Sequence, residues 1–291
     1  MRWTPGGDSS DIEDRRGEGG GGGGGFNLGG FNGMHLGIGG TLVLIVLSFL
    51  FRTNLFSVLG GGDTAPTAAS RPLSNPDTDP AEQREVEFVK FVLNDVQHTW
   101  EQLLPQGGAS YRHTKLVLFR DLTQSGCGTA QSETGPFYCP VDEKVFIDLG
   151  FFQELRDRFG APGEFAQAYV LAHEIGHHVQ KLLGTEGKVH RLSRGDPSQA
   201  KPLSVRLELQ ADCFAGVWGH ATAQRKIIDD SDIAAGLRAA ASVGDDRLQR
   251  MATGHISPES FTHGSSAQRT DWFRRGLQSG DISTCDTFAG Q

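Results

Sequence analysis

The sequence predicts a mainly helical α+β domain with a small β-sheet, and three observations predict it. Apolar residues recur at helical spacing through most of residues 81–291. Two short apolar runs, KLVLFR at 115–120 and KVFIDL at 144–149, read as strands set among those helices. Sequence before residue 80 has a different character and stands apart from the domain.

Residues 1–35 hold a glycine run from Gly19 to Gly25 and a loose GG-F-N pattern. Such sequence cannot bury enough apolar surface to offset its chain entropy, so it predicts a flexible tail. LGIGGTLVLIVLSFLF at 36–51 follows, then Arg52 and Asn54, then LFSVLG. A spanning helix needs about 20 apolar residues, and an arginine at its end can reach the headgroups. Residues 36–59 therefore predict a single transmembrane anchor in a lipid bilayer. A secretory signal is disfavoured because the run starts behind a glycine tract. Arg2, Arg15 and Arg16 favour an inside N-terminus, which Arg52 weakens. Residues 60–80, rich in Pro, Ser, Thr and Ala, read as a linker.

About two hundred residues remain from 81 to 291, a comfortable size for one domain. The first helix pattern runs from Ala81 through Phe88, Val92, Val96, Trp100 and Leu104, and Pro105 with Gly107 and Gly108 ends it. Further helices are expected at 150–159, 163–183, 200–226, 231–243, 245–253 and 265–278. The formal net charge of −8 gives no support to nucleic-acid binding, which favours a basic face.

Cys127 and Cys139 sit in the polar loop SGCGTAQSETGPFYCP, which suits a disulfide better than two buried thiols. Cys213 and Cys285 are candidates for a second bridge, with Cys213 equally plausible as a small core residue. No CxxC spacing occurs to suggest a cysteine zinc site. Disulfides imply an oxidising compartment, in keeping with a domain on the extracytoplasmic side of its anchor.

The chemistry concentrates in VLAHEIGHHVQ, residues 170–180. His173 and His177 are four apart and share one helix face, so their rings can grip one ion. Glu174 is rotated about 100° from His173 and can reach the open side of that ion without ligating it. This is the HExxH pattern in which the glutamate is a general base. Gly176 lets another segment approach closely. A catalytic zinc site needs a third ligand, and a third histidine in the HExxHxxGxxH pattern is absent, since Gln180 and Leu183 stand there. VRLELQADCFAGVWGH at 205–220 supplies Glu208, with Asp212 one turn on to accept the N–H of a ligating imidazole. His178, His190 and His220 are weaker ligand candidates. For a donor to the reaction's oxyanion the candidates are His263, His255, Tyr138 and His220, with His263 preferred because Gly264 suggests an exposed turn. KVFIDL is a candidate edge strand for pairing with an extended peptide.

HEIGHHVQ together with ELQADCFAGVWGH resembles the YpfJ-like neutral zinc metallopeptidase family of bacteria. The opening MRWTPGGDSSDIEDRRG, the glycine run, the apolar stretch, CGTAQSETGPFYCP with KVFIDLGFF, and SPESFTHGSSAQRTDWFRRG resemble it too. The resemblance implies a zincin-like fold, a single N-terminal anchor in a bacterial cell membrane, and one Zn2+ held by His173, His177 and Glu208 with Glu174 as base. The expected activity is hydrolysis of a peptide or protein substrate. The alternatives are a catalytically idle peptide-binding or scaffolding relative, and a hydrolase of non-peptide amides.

Overall fold

The computed structural model of the chain describes residues 1–6, 10–18, 79–132 and 135–289. The expected anchor at 36–59, most of the linker, and the glycine run lie outside these. Among the described residues no helix is long and apolar enough to cross a membrane.

Helix α1 spans Pro80–Leu103. Asp79 caps it by accepting the amide of Ala81 at 2.9 Å, and proline occupies its first turn, where no N–H is needed. Its apolar stripe, Phe88, Val89, Val92, Leu93, Val96 and Trp100, is buried. A four-stranded sheet follows, built from β1 (Ile12–Asp14), β2 (Lys115–Phe119), β5 (Phe137–Cys139) and β6 (Lys144–Asp148), in the order β1-β2-β6-β5. The first three are mutually parallel, and β5 runs antiparallel to β6. Strands buried on both faces read as unbroken apolar runs, which is why KLVLF and KVFID were legible. A separate hairpin pairs β3 (Leu122–Ser125) with β4 (Gly128–Gln131).

The remaining helices are α2 (Gly150–Asp157), α3 (Glu164–Leu182), α4 (Thr185–Gly195), α5 (Ala200–Gln224), α6 (Asp230–Ser242), α7 (Asp245–Thr253) and α8 (Ser266–Ser279). The core lies where α3, α5 and α8 pack on one another and on α1. Trp100 meets Phe214 edge-on at 5.3 Å, Phe165 stacks on Trp218 at 5.5 Å, and Tyr169 meets Phe273 at 5.2 Å. Asp95 of α1 accepts the Trp218 indole N–H at 2.7 Å and pairs with Arg225, tying α1 to α5.

Two expectations are corrected here. Residues 1–6 and 10–18 are not a free tail. β1 completes the sheet, Trp3 packs against Phe88 at 5.3 Å, and the Met1 amine pairs with Asp232 at 2.9 Å. The flexible reading held that glycine-rich sequence lacks apolar area, but these two stretches are anchored by backbone pairing and ion pairs instead. KVFIDL is not an edge strand either: β6 lies between β2 and β5, and β5 forms the edge nearest α3.

Both disulfides are formed. Cys127–Cys139 ties the hairpin to β5, with Cα atoms 5.8 Å apart, and Cys213–Cys285 ties α5 to the C-terminal turn, with Cα atoms 5.5 Å apart.

Candidate metal centre

Helices α3 and α5 carry the site and cross at Gly176. A side chain there would put its Cβ 3.1 Å from the Ala211 carbonyl oxygen and 3.2 Å from its Cα. Any side chain there would push the neighbouring backbone back by a few tenths of an ångström, so glycine suits this close approach. That approach places position 208 of one helix opposite positions 173 and 177 of the other.

His173 presents Nε2 to Glu208 Oε2 at 3.2 Å, and His177 presents Nε2 to Glu208 Oε1 at 3.6 Å. The two rings are perpendicular, with centroids 4.9 Å apart. One donor atom from each of the three residues lies within 4.8 Å of the others, an arrangement that can hold a metal ion. Two imidazole nitrogens and one carboxylate oxygen are a donor set that suits zinc.

Each ring is fixed from behind. The His173 Nδ1 lies 2.9 Å from Asp212 Oδ1, an atom that only accepts, so Nδ1 carries a proton and Nε2 is the nitrogen turned toward Glu208. Asp212 is fully buried and takes a bidentate pair from Arg269, at 2.8 and 2.9 Å, and the hydroxyl of Tyr169. Burial alone would raise the Asp212 pKa; Arg269 and His173 outweigh it and hold the carboxylate ionised. The same logic holds Glu208 well below the usual carboxylate range: its desolvation is outweighed by His263, His177 and His173. Burial lowers the His177 pKa, whereas Asp212 and Glu208 overcome burial at His173 and push it up to about 9.

Glu174 is buried beside the cluster, and desolvation pushes its pKa up to about 7. The backbone amide of Tyr138, on edge strand β5, donates toward the carboxylate and partly offsets that rise. A carboxylate so placed accepts a proton readily near neutral pH.

Of the candidate oxyanion donors, His263 lies near enough to Glu208 to help lower its pKa. Asp245, at the start of α7, accepts the backbone amides of Thr262, His263 and Gly264 at 2.7, 2.7 and 3.1 Å. Its second oxygen lies 3.3 Å from His263 Nδ1. Gly264 is not an exposed turn: it is buried against Val205 and Leu209, which flank Glu208 on α5. His255 and His190 are exposed elsewhere, and His220 bonds the Leu277 carbonyl at the far end of α5. His178 and the Tyr138 hydroxyl are spent on each other at 3.0 Å, with the second His178 nitrogen on the Arg112 carbonyl.

Sequence reasoning missed Arg269, Tyr169, Asp245 and Gln180. Gln180 lies three residues after His177, a helical neighbour spacing, so its role was legible in HEIGHHVQ. Arg269 and Asp245 carry no such local signal.

Two crossing helices that offer imidazole, imidazole and carboxylate, with another glutamate next to them, form a candidate HExxH-type metal centre. The chain belongs to the family described as "Putative neutral zinc metallopeptidase", whose pattern matches residues 1–288. It is 44% identical over 293 residues to the YpfJ protein of Escherichia coli (strain K12), described as uncharacterized, covering 99% of both chains. It is also 46% identical over 207 residues to the uncharacterized protein Rv2575 of Mycobacterium tuberculosis (strain ATCC 25618 / H37Rv), covering 67% of this chain and 68% of that one. No solved structure matches the chain.

Proposed function

We propose that this chain is a zinc-dependent peptidase held at a bacterial cell membrane through residues 36–59, with its domain on the oxidising, extracytoplasmic side. The observation that carries the catalytic reading is the buried Glu174 carboxylate set beside the His173–His177–Glu208 cluster without belonging to it. A binding or scaffolding protein has no use for such a group, since a buried, desolvated acid costs stability.

His173, His177 and Glu208 would hold one zinc ion, which supplies a Lewis acid able to acidify a bound water and polarise a carbonyl. Glu174 takes the proton from the attacking water and passes it to the leaving amine as the peptide bond breaks. His263, oriented by Asp245, donates to the oxygen on which negative charge develops. Edge strand β5 offers its backbone to an extended peptide laid beside α3, which gives affinity through main-chain bonds and little side-chain preference. The two disulfides support the oxidising compartment.

The test is digestion of a peptide library by wild-type protein, chelator-treated protein and the Glu208→Ala variant, with zinc stoichiometry measured by native mass spectrometry. Cleavage by the wild type alone, together with one zinc in wild type and none in Glu208→Ala, is expected. Cleavage that survives the chelator refutes the mechanism, and full zinc in Glu208→Ala moves the third ligand elsewhere.

A further inference from the structure

His177 is oriented by a hydrogen-bond chain whose direction can be read atom by atom. The Cys285 carbonyl can only accept, and it lies 3.0 Å from Gln210 Nε2, so the Gln210 amide nitrogen faces Cys285. Gln210 Oε1 then faces Gln180, whose Nε2 lies 3.2 Å away. The same Gln180 nitrogen donates to the Leu207 carbonyl at 2.7 Å, another atom that only accepts. Gln180 Oε1 is thereby turned to His177 Nδ1, at 2.9 Å. An amide oxygen cannot donate, so the proton sits on Nδ1 and the Nε2 lone pair points toward Glu208. Gln180 is 1% exposed and Gln210 7% exposed, so water does not compete for these bonds. Cys285, the origin of the chain, is bonded covalently to Cys213 on the ligand-bearing helix, next to Asp212.

We propose that Gln180 and Gln210, anchored on the Cys213–Cys285 bridge, are positioning residues that fix the metal-binding tautomer of His177. They play for the second histidine the part that Asp212 plays for the first. The inference rests on the zinc reading for its consequence, but the tautomer itself is a property of the metal-free chain. In wild-type apo protein, nitrogen-15 NMR of the imidazoles should show His177 with its proton on Nδ1. Gln180→Leu should shift it toward the Nε2–H form and weaken zinc binding about ten- to hundredfold by chelator competition. Gln180→Glu keeps an acceptor for Nδ1–H and should restore the tautomer. Gln210→Leu and the Cys213→Ser/Cys285→Ser pair should produce smaller shifts of the same sign. An unchanged His177 tautomer in folded Gln180→Leu overturns the inference whatever zinc does. A correct tautomer in wild-type protein that binds no zinc sinks the zinc reading and leaves the positioning of the ring standing.

A different observation carries a second inference. Residues 1–6 and 10–18 are woven into the domain at five places. The Met1 amine pairs with Asp232 at 2.9 Å, and the Arg2 amide donates to the Ile227 carbonyl at 2.7 Å. Lys144 of β6 reaches Glu13 at 2.8 Å, Arg16 reaches Glu82 of α1 at 2.7 Å, and β1 pairs with β2. A stretch that crosses a bilayer once leaves its two flanks on opposite sides, and strands of one sheet cannot form across a membrane. The structure assigns residues 1–6 and 10–18 to the same compartment as residues 79–132 and 135–289, so residues 36–59 would attach the chain to the membrane without carrying it across, in place of the single crossing expected between them. Because all four cysteines are in disulfides, one added thiol at a time can be read. Ser10→Cys and Lys201→Cys, both exposed positions, would be treated in intact cells with a membrane-impermeant maleimide, then again after lysis. Equal labelling of the two at each stage is expected. Labelling of one in intact cells and of the other only after lysis overturns the assignment.

Discussion

Replacing Asp212 with Asn tests the frame behind the first histidine. The side chain keeps its shape, but the charge that faces Arg269 is lost, and the new amide N–H groups meet donors on one side or the other. Arg269 is 4% exposed, with its Nε and one terminal nitrogen both committed to Asp212. Breaking a buried pair by removing one partner costs about 3–5 kcal/mol, because the remaining charge stays buried and unpaired. That is a large share of a domain stability of about 5–15 kcal/mol. Urea unfolding of the metal-free protein should show the loss as a lower midpoint with an unchanged slope. Zinc affinity should also fall about tenfold to a hundredfold, since the Nδ1–H of His173 loses its charged acceptor. The double change Asp212→Leu with Arg269→Met separates the two effects: it removes both charges, so most of the stability should return while zinc binding stays weak. Loss of under about 1 kcal/mol in Asp212→Asn, with zinc affinity retained, would show that neither the buried pair nor the imidazole contact matters as described.

Other changes probe the remaining parts. Glu174→Gln should bind one zinc as tightly as wild type and cleave no peptide; detectable turnover of casein would remove Glu174 from the base role. His263→Ala should lower kcat about a hundred- to a thousandfold with zinc content unchanged, as loss of an oxyanion donor does; an unaltered kcat sends that role to another group. The N-terminal strand should loosen as pH rises above the ordinary histidine range. His113 lies between Asp11 Oδ2 at 2.6 Å and Glu101 Oε1 at 2.7 Å. Burial opposes its charge, but the two carboxylates outweigh it and raise the pKa. A raised folded pKa means the contribution is complete below the unfolded value of about 6.5 and is lost as pH rises through the folded value. Hydrogen exchange at the Leu116 and Arg15 amides, which bond residues across β1 and β2, should therefore quicken with pH beyond its intrinsic rise in wild type and not in His113→Gln. Identical profiles for the two proteins would dismiss the imidazolium clasp.

How much of this was legible depended on the range of each interaction. The long helices were read within a few residues because periodicity, Asp79-Pro80 at one start and Gly184 at one stop are local signals. Helix α4 was missed because only Val189 and Ser193 of its eleven residues are buried, so no apolar stripe marks it. Strands β1 and β5 have three residues each and owe their existence to distant partners, which no short window reveals.

The site divides along the same line. The sequence by itself determined that two imidazoles would share a helix face, that a glutamate would stand beside them, and that Glu208 and Asp212 would lie one turn apart, because i and i+4 spacing is a property of any α-helix. Only the tertiary structure decided that the two helices meet at Gly176 and Ala211, that Arg269 from the last long helix neutralises Asp212, and that His263 swings back to Glu208 on a loop gathered by Asp245. Those contacts join residues 35 to 57 positions apart or bring in a third element, and their geometry follows from how closely backbones pack rather than from any repeat along the chain.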